Sequence, residues 1–121
     1  MTVEPDQFRD VMGTFVTGVT VVTFPSEPLH GLTVNALSSL SLEPPLVLIC
    51  IDHGTNTYEL LEDGDIDSYC VNILGQDQRR LGEYFAGMTE LDKSPFESEQ
   101  TRTKETGTPV FRDALGYLNC S

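Results

Sequence analysis

Hydrophobic residues recur at two spacings along the chain, and these spacings predict where helices and strands lie. Within residues 5–15 the large apolar side chains recur three or four positions apart, which predicts a short amphipathic helix. Residues 19–24 are rich in β-branched side chains and predict a strand. Residues 46–51 are uninterruptedly apolar, a pattern typical of a central strand that is covered on both faces.

Polar and apolar positions between these segments predict further short elements. Residues 29–42 predict one or two strands with a bend among the serines, and the Pro44-Pro45 pair ends them. Residues 69–74 predict another strand. Residues 76–86 predict a second short helix with Leu81 and Phe85 on its inner side.

The last third of the chain contains a long polar segment. Residues 87–109 carry no hydrophobic periodicity and are too many for an ordinary loop, which predicts a functional or partly mobile segment. Residues 111–120 return to strand character. The whole pattern is mainly β with short flanking helices, and it lacks the strand–helix alternation of a doubly wound fold. Residues 1–121 are therefore expected to form one domain.

Charge narrows the classes of partner. Seven basic residues against nineteen acidic ones give a net charge of −12. Because a phosphate backbone is bound by clustered Lys and Arg, this charge argues against nucleic acid as a partner. A surface adapted to high salt is one interpretation of the acidity, and an ordinary acidic soluble protein is the other.

Apolar runs and cysteines indicate the compartment. No apolar run approaches the roughly 18–20 residues that span a bilayer, and the first residues lack the pattern of a signal peptide. We therefore expect a soluble, cytoplasmic protein without a membrane partner. Cys50, Cys70 and Cys120 show no C-x-x-C spacing, and Cys50 and Cys70 lie in apolar runs. Buried free thiols in a reducing compartment are expected, rather than disulfides or a zinc site.

A polar stretch in the first half of the chain is the first candidate for a binding site. Thr33 and Asn35 are two residues apart and would point the same way on a strand. The Asn35 amide offers both a donor and an acceptor, which suits a ring that carries C=O and N–H groups side by side. Ser39 and Ser41 would donate hydroxyl hydrogen bonds to a phosphate. The alternative is that all four are ordinary strand and turn residues.

The segment after the apolar strand is the second candidate. Asn56 and Glu59 have the spacing of a capping box, with Asn56 as the N-cap. Backbone N–H groups at a helix start attract anions without basic side chains, but a plain helix cap explains the same residues. His30 and His53 have no third ligand nearby in sequence, so no metal site is predicted.

Five segments together resemble the flavin reductase-like family, whose fold is the FMN-binding split β-barrel. They are FRDVMGTFVTGVTVVT (8–23), GLTVNALSSLSLEPPLVLICID (31–52), NTYELLEDGDIDSYCVNIL (56–74), DQRRLGEYFAG (77–87) and TGTPVFRDALGYLNC (106–120). The match covers nearly the whole chain, and its second segment is the most distinctive.

The resemblance implies a homodimer that binds FMN, or FAD in some members, and reduces it with NAD(P)H. The reduced flavin often serves a separate monooxygenase. The implied flavin-binding residues fall into four groups. The residues along the ring are Thr33, Val34, Asn35 and Ala36, and those near the ribityl and phosphate groups are Ser39, Ser41, Asn56 and Thr57. The residues of the adjacent wall are Cys50, Ile51 and Asp52. The residues that border the pocket, from the same or the partner subunit, are Phe85 and Ala86. No catalytic side chain is implied, because hydride transfer between two rings needs no protein acid or nucleophile.

One departure from the family concerns the C-terminal side. Members usually continue beyond the position of Ser121, with the last barrel strands and a motif on the nicotinamide side of the pocket. We therefore expect a split barrel that lacks its last strands and has an open sheet edge. A non-catalytic flavin-binding module or electron carrier is the alternative to a flavin reductase.

Overall fold

The computed structural model describes residues 3–15, 17–64, 66–91, 94–96, 101–103 and 108–121, with only the backbone described for 101–103. The described part is mainly β. Its helices are α1 (Pro5–Met12), α2 (Asn56–Glu62) and α3 (Arg79–Phe85), and a 3₁₀ turn (Gln76–Gln78) precedes α3. Its strands are β1 (Thr20–Phe24), β2 (His30–Val34), β3 (Leu37–Leu42), β4 (Pro45–Ile49), β5 (Tyr69–Ile73), β6 (Thr101–Thr103), β7 (Pro109–Phe111) and β8 (Gly116–Cys120).

The strands form three antiparallel sheets within the described residues. The largest has the order β2-β1-β5-β8, while β3–β4 and β6–β7 form two-stranded sheets. Val22 faces Leu32 on one neighbouring strand and Val71 on the other. These sheets do not join into a closed barrel over the part of the chain that is described.

Strand β1 is the centre of the core, because both of its faces are covered. Val22 and Phe24 pack with Val71 on one face, while Val21 packs with Leu81 and Phe111 on the other. Alternation of side chains along a strand produces this division. The prediction that residues 46–51 form the central strand is wrong. Strand β4 pairs with β3 alone in the described sheets, and its side chains are exposed or half-buried.

A buried amide links the central sheet to β7. The Asn72 side chain is fully buried, its Nδ2 donates to the Val21 carbonyl at 2.9 Å, and its Oδ1 accepts from the Phe111 N–H at 2.9 Å. Thr23 adds a second link, since its hydroxyl donates to the Pro109 carbonyl at 2.6 Å. These bonds satisfy polar groups that burial would otherwise leave without water.

Several local predictions hold with shifted boundaries. The predicted helix over residues 5–15 exists but ends at Met12, and none of its residues is buried. Residues 29–42 form two strands, and the break falls at Asn35 and Ala36, before the serines. A register irregularity between Ser39 and Ser41 marks the expected bend.

The prediction that Asn56 is the N-cap of α2 is wrong. Thr55, and not Asn56, precedes the helix, and its hydroxyl accepts a hydrogen bond from the Tyr58 N–H at 3.2 Å. Serine, threonine and asparagine all serve as N-caps, so the run Thr55-Asn56-Thr57 offers three candidates to a sequence pattern.

The long polar segment is partly structured. Residues 101–103 pair with β7, which the absence of periodicity did not predict. Residues 92–93, 97–100 and 104–107 of that segment lie outside the described residues. In the chain as described, no helix combines the length and apolar character needed to cross a membrane.

The three cysteines are free thiols with different exposure. Cys70 is fully buried, as predicted, and burial raises the pKa of its thiol to about 11. Cys50 is exposed, so the prediction of a second buried thiol is wrong. It follows the last residue of β4, outside the buried core. Burial also raises the pKa of the half-buried Cys120 thiol.

Replacing Asn72 with Leu is expected to destabilise the fold by about 2–4 kcal/mol, because the buried Phe111 N–H loses its acceptor. Urea unfolding would measure the change in free energy. The matched control is Asn35→Leu, where the side chain is exposed, and its effect should stay within about 0.5 kcal/mol. Equal stability of the two variants would show that the Asn72 bonds contribute nothing.

Alkylation of the folded protein at pH 8 is expected to modify Cys50 and spare Cys70. With a pKa of about 11, only about one Cys70 thiol in a thousand would be thiolate at that pH, and the side chain is buried as well. Peptide mass spectrometry after iodoacetamide treatment measures the order of reaction. In urea Cys70 should become reactive, and labelling of both thiols at one rate in the folded protein would contradict the burial.

Candidate functional site

A cleft lies where the chain leaves β2 and where it leaves β4. One wall is the end of β2 with the two residues that follow it, and the other is the segment after β4. The cleft has a volume of about 160 Å³ and is lined by Leu32, Thr33, Val34, Asn35, Ala36, Cys50, Ile51, Asp52 and Thr55. Seven of these nine are residues that the sequence predicted for binding. The structure therefore brings the predicted ring and wall groups together.

Backbone hydrogen bonds set the shape of this cleft. The Cys50 N–H donates to the Ala36 carbonyl at 3.1 Å, which ties the two walls together. The Asp52 carboxylate accepts from the Gly54 N–H at 2.9 Å, and the Asp52 carbonyl accepts from the Thr55 N–H at 3.2 Å. The wall formed by residues 52–55 is thus a compact turn that continues directly into α2.

Thr33 and Asn35 differ in what they offer to a ligand. The Thr33 hydroxyl donates to the Gly82 carbonyl of α3 at 2.6 Å, so its proton is already used within the fold. The Asn35 side chain is exposed in the cleft. Because an amide carries both a donor and an acceptor, Asn35 is the side chain best suited to read a polar ring edge.

A second space adjoins the cleft and is mostly apolar. It measures about 470 Å³ and shares Asn35, Ala36 and Cys50 with the cleft. Its other apolar lining comes from Phe8 and Met12 of α1, from Phe15 after that helix, and from Leu37 and Leu48 of the β3–β4 sheet. Together the two spaces form one groove with a polar end and an apolar end.

The predicted phosphate residues are distributed differently. Ser39 and Ser41 line a separate space of about 550 Å³ next to Tyr69 and Leu118. Asn56 is exposed in the first turn of α2. Thr57 is 1% exposed, and a hydrogen bond of 2.6 Å joins its Oγ1 to His30 Nε2. The Thr57 hydroxyl is therefore engaged inside the fold.

The two predicted residues at the end of α3 are not among those that line the cleft. Phe85 packs against Phe96 and Phe111, with ring centroids 5.3 Å and 5.7 Å away. A Cβ at Gly31 would come within 2.6 Å of the Phe85 ring, so glycine allows the ring to lie against β2. Ala86 lines a further space of about 460 Å³, which Thr33 also borders.

Sequence reasoning missed three residues that shape the site. Leu32 and Thr55 line the cleft, and His30 holds Thr57. Thr55 carries a signal that could have found it, because threonine directly before a helical segment is a common N-cap. His30 carries no such signal. Burial lowers the pKa of its imidazole, which favours the neutral ring.

Metal chemistry has no visible support in this region. Among the residues that the structure describes, no group of three or more His, Cys, Asp and Glu side chains is placed to hold a metal ion. The electrostatics of the cleft are set by neutral groups and by Asp52. The Arg79 guanidinium pairs with Glu83 at 2.8 Å on an exposed face of α3.

Known proteins resemble this chain in sequence and in structure. The reductase subunit HsaB of a flavin-dependent monooxygenase from Mycobacterium tuberculosis is 34% identical over 120 residues, covering 98% of this chain and 62% of the relative. The solved structure of the flavin reductase PheA2 is 39% identical with a TM-score of 0.83, covering 98% of this chain and 74% of that one. The NADH:FAD oxidoreductase SgcE6 of Streptomyces globisporus, solved in complex with NAD and FAD fragments, is 32% identical with a TM-score of 0.82, covering 99% and 72%.

These likenesses confirm the predicted fold class, which is mainly β with short helices and is shared with flavin reductases of the split-barrel fold. The chain spans about 62% of the length of HsaB. The family model described as the flavin reductase like domain matches residues 12–121. This chain belongs to the flavin reductase-like family.

Proposed function

We propose that this chain is an NAD(P)H-dependent flavin reductase that binds FMN, with FAD as the alternative flavin. The observation that carries the proposal is the cleft, because seven residues predicted for flavin binding line one small space in a chain of this family. HsaB and SgcE6 support the reductase activity, since both are named for flavin reduction or for service to a flavin-dependent enzyme.

The dimensions of the groove suit a flat ring better than a whole cofactor. Ligand pockets usually enclose roughly 300–1,000 Å³. The cleft alone has about 160 Å³, which is too small, but the adjoining apolar space adds about 470 Å³. A tricyclic ring has one polar edge and one apolar edge, so it fits a groove with the same two ends.

The described residues have distinct roles in this proposal. Asn35 would bond the polar edge of the ring, and the apolar side chains of Val34 and Ile51 would exclude water beside it. The bond between the Cys50 N–H and the Ala36 carbonyl would hold the two walls at a fixed separation. The flavin, when bound, supplies the hydride chemistry, so the protein contributes binding and orientation.

The remaining predicted residues would lie farther from the flavin ring. Ser39 and Ser41 would serve the ribityl and phosphate groups from their separate space, and exposed Asn56 would serve from the start of α2. The Thr57 hydroxyl would act indirectly, because it is buried against His30. Ala86 would border the pocket, and Phe85 would support it by packing against Gly31 of β2.

A partner enzyme follows from the same reasoning. We propose that the reduced flavin passes to a separate monooxygenase, because HsaB is the reductase subunit of such a system. A reducing compartment such as the cytoplasm suits the three free thiols. Adaptation of the acidic surface to high salt stays a prediction.

We also propose a homodimer. Large apolar side chains lie exposed on α1 and on the β3–β4 hairpin, and Leu42 at its tip is 89% exposed. Contiguous apolar surface of this kind is typical of an interface between protein chains. A second copy covering this face would also close the apolar end of the groove.

Purified protein is expected to bind FMN and to oxidise NADH or NADPH in its presence. Titration of flavin fluorescence measures binding, and loss of nicotinamide absorbance measures turnover. Binding without turnover would favour the non-catalytic flavin carrier instead. Absence of both binding and any rise in melting temperature at saturating FMN would refute the proposal, because a ligand of the native state must stabilise it.

The variant Asn35→Leu tests whether the flavin ring contacts the Asn35 side chain. Loss of the donor–acceptor pair should weaken FMN affinity by about 1–3 kcal/mol. The control is Gln7→Leu, which removes an exposed amide on α1 and should leave affinity unchanged. Unchanged affinity of the Asn35 variant would show that the ring does not contact this side chain.

Sedimentation velocity is expected to show a dimer of the wild-type chain. Replacing Leu42 with Glu places a charge on the exposed apolar hairpin and should shift the equilibrium toward the monomer. The control Leu115→Glu makes the same substitution at a leucine that is 76% exposed and lies outside α1 and the β3–β4 hairpin. A wild-type monomer at high micromolar concentration would contradict the proposed dimer.

A further inference from the structure

One hydrogen bond connects the two elements that lead to the walls of the cleft, β2 and α2. His30 is the first residue of β2, and Thr57 is the second residue of α2. Their side chains meet at 2.6 Å between Nε2 and Oγ1, although 27 positions separate them in sequence. Strand β2 leads into the first wall, which is residues 32–36, and α2 follows directly on the second wall, which is residues 50–55.

The second wall is joined to the start of α2 by hydrogen bonds. Thr55 caps the helix through the Tyr58 N–H, and it also bonds to Asp52 through its own N–H and hydroxyl. The turn and the first helical residues therefore form one hydrogen-bonded unit. A bond that fixes the start of α2 to β2 also fixes the separation of the two walls.

Burial strengthens the effect of the His30–Thr57 hydrogen bond on the local geometry. Thr57 is 1% exposed, and His30 is half-buried with its ring 5.8 Å from the Phe24 ring. Hydrogen bonds shielded from water contribute more to a defined geometry than exposed ones, and a buried hydroxyl without a partner is destabilising. The pair thus has a strong preference for one arrangement.

We propose that His30 is a positioning residue for the flavin cleft and that it acts through Thr57. The inference rests on the proposed function and refines it, because Thr57 then holds a wall of the site and does not contact the phosphate. His30 itself is not among the residues that line the cleft. Its effect is on the spacing of the walls.

The test compares Thr57→Val and His30→Phe with Thr23→Val. The control removes another buried hydroxyl, which bonds to the Pro109 carbonyl away from the cleft. Thr57→Val and His30→Phe should each weaken FMN binding by about three- to tenfold, and the double variant should lose no more than one single variant. Thr23→Val should lower the melting temperature and leave FMN affinity within about twofold. Thr57→Ser retains the hydroxyl and should restore binding.

Hydrogen exchange of the flavin-free protein separates this inference from the proposed function. Thr57→Val and His30→Phe should accelerate exchange of the Cys50 and Tyr58 amides, which report the walls, more than that of the Leu74 amide. Thr23→Val should not show this preference. If wild-type protein binds no FMN, the proposed function fails whatever the exchange shows. If wild-type protein binds FMN but the Thr57 and His30 variants keep its FMN affinity and its exchange rates at Cys50 and Tyr58, the positioning role is overturned. It is also overturned if the affinity losses of the two single variants add in the double variant.

Discussion

Coverage of β1 on both faces is the constraint on which the rest of the structure depends. Its residues are all buried, with one neighbouring strand on each side and packed side chains above and below. One face is closed by Val34 and Val71, and the other by Leu81 and Phe111. Because β2 is bonded directly to this strand, the first wall of the cleft rests on the best-buried part of the molecule. The site is therefore built outward from a rigid centre.

The polar groups inside this centre explain how so small a core keeps its order. Asn72 and Thr23 hold β7 against the central sheet with buried hydrogen bonds. Buried polar groups of this kind favour one arrangement of strands, since any other leaves them unpaired. The cleft uses the same device at its edge, where Thr33 bonds to Gly82 and His30 bonds to Thr57.

The second half of the site is held less deeply. The segment from Cys50 to Thr55 is mostly exposed, and its order comes from its own turn and from α2. The apolar end of the groove is formed by α1, in which no residue is buried. A ligand in this groove would thus lie between a wall that rests on the buried core and a wall that is mostly exposed. This arrangement suits the proposed binding of a flavin without covalent attachment.

Sequence patterns predicted the elements well wherever a local period decided the structure. The β-branched run in β1 and the helical spacing in α3 are set by neighbouring residues, and both were found near their observed limits. The apolar run in β4 misled the prediction of Cys50 burial. A run of apolar residues shows that a strand prefers cover, but it does not show which part of the chain, or which other chain, provides it.

The sequence by itself determined the family, the mainly β character and seven of the nine residues that line the cleft, because these lie in short, distinctive segments. Only the tertiary structure decided which of those residues face the cleft together and which are used by the fold. The Thr33 hydroxyl is taken by Gly82, 49 positions away, and the Thr57 hydroxyl by His30, 27 positions away. Pairings at such distances leave no periodic trace in a sequence, since they arise only when packing brings separate elements into contact.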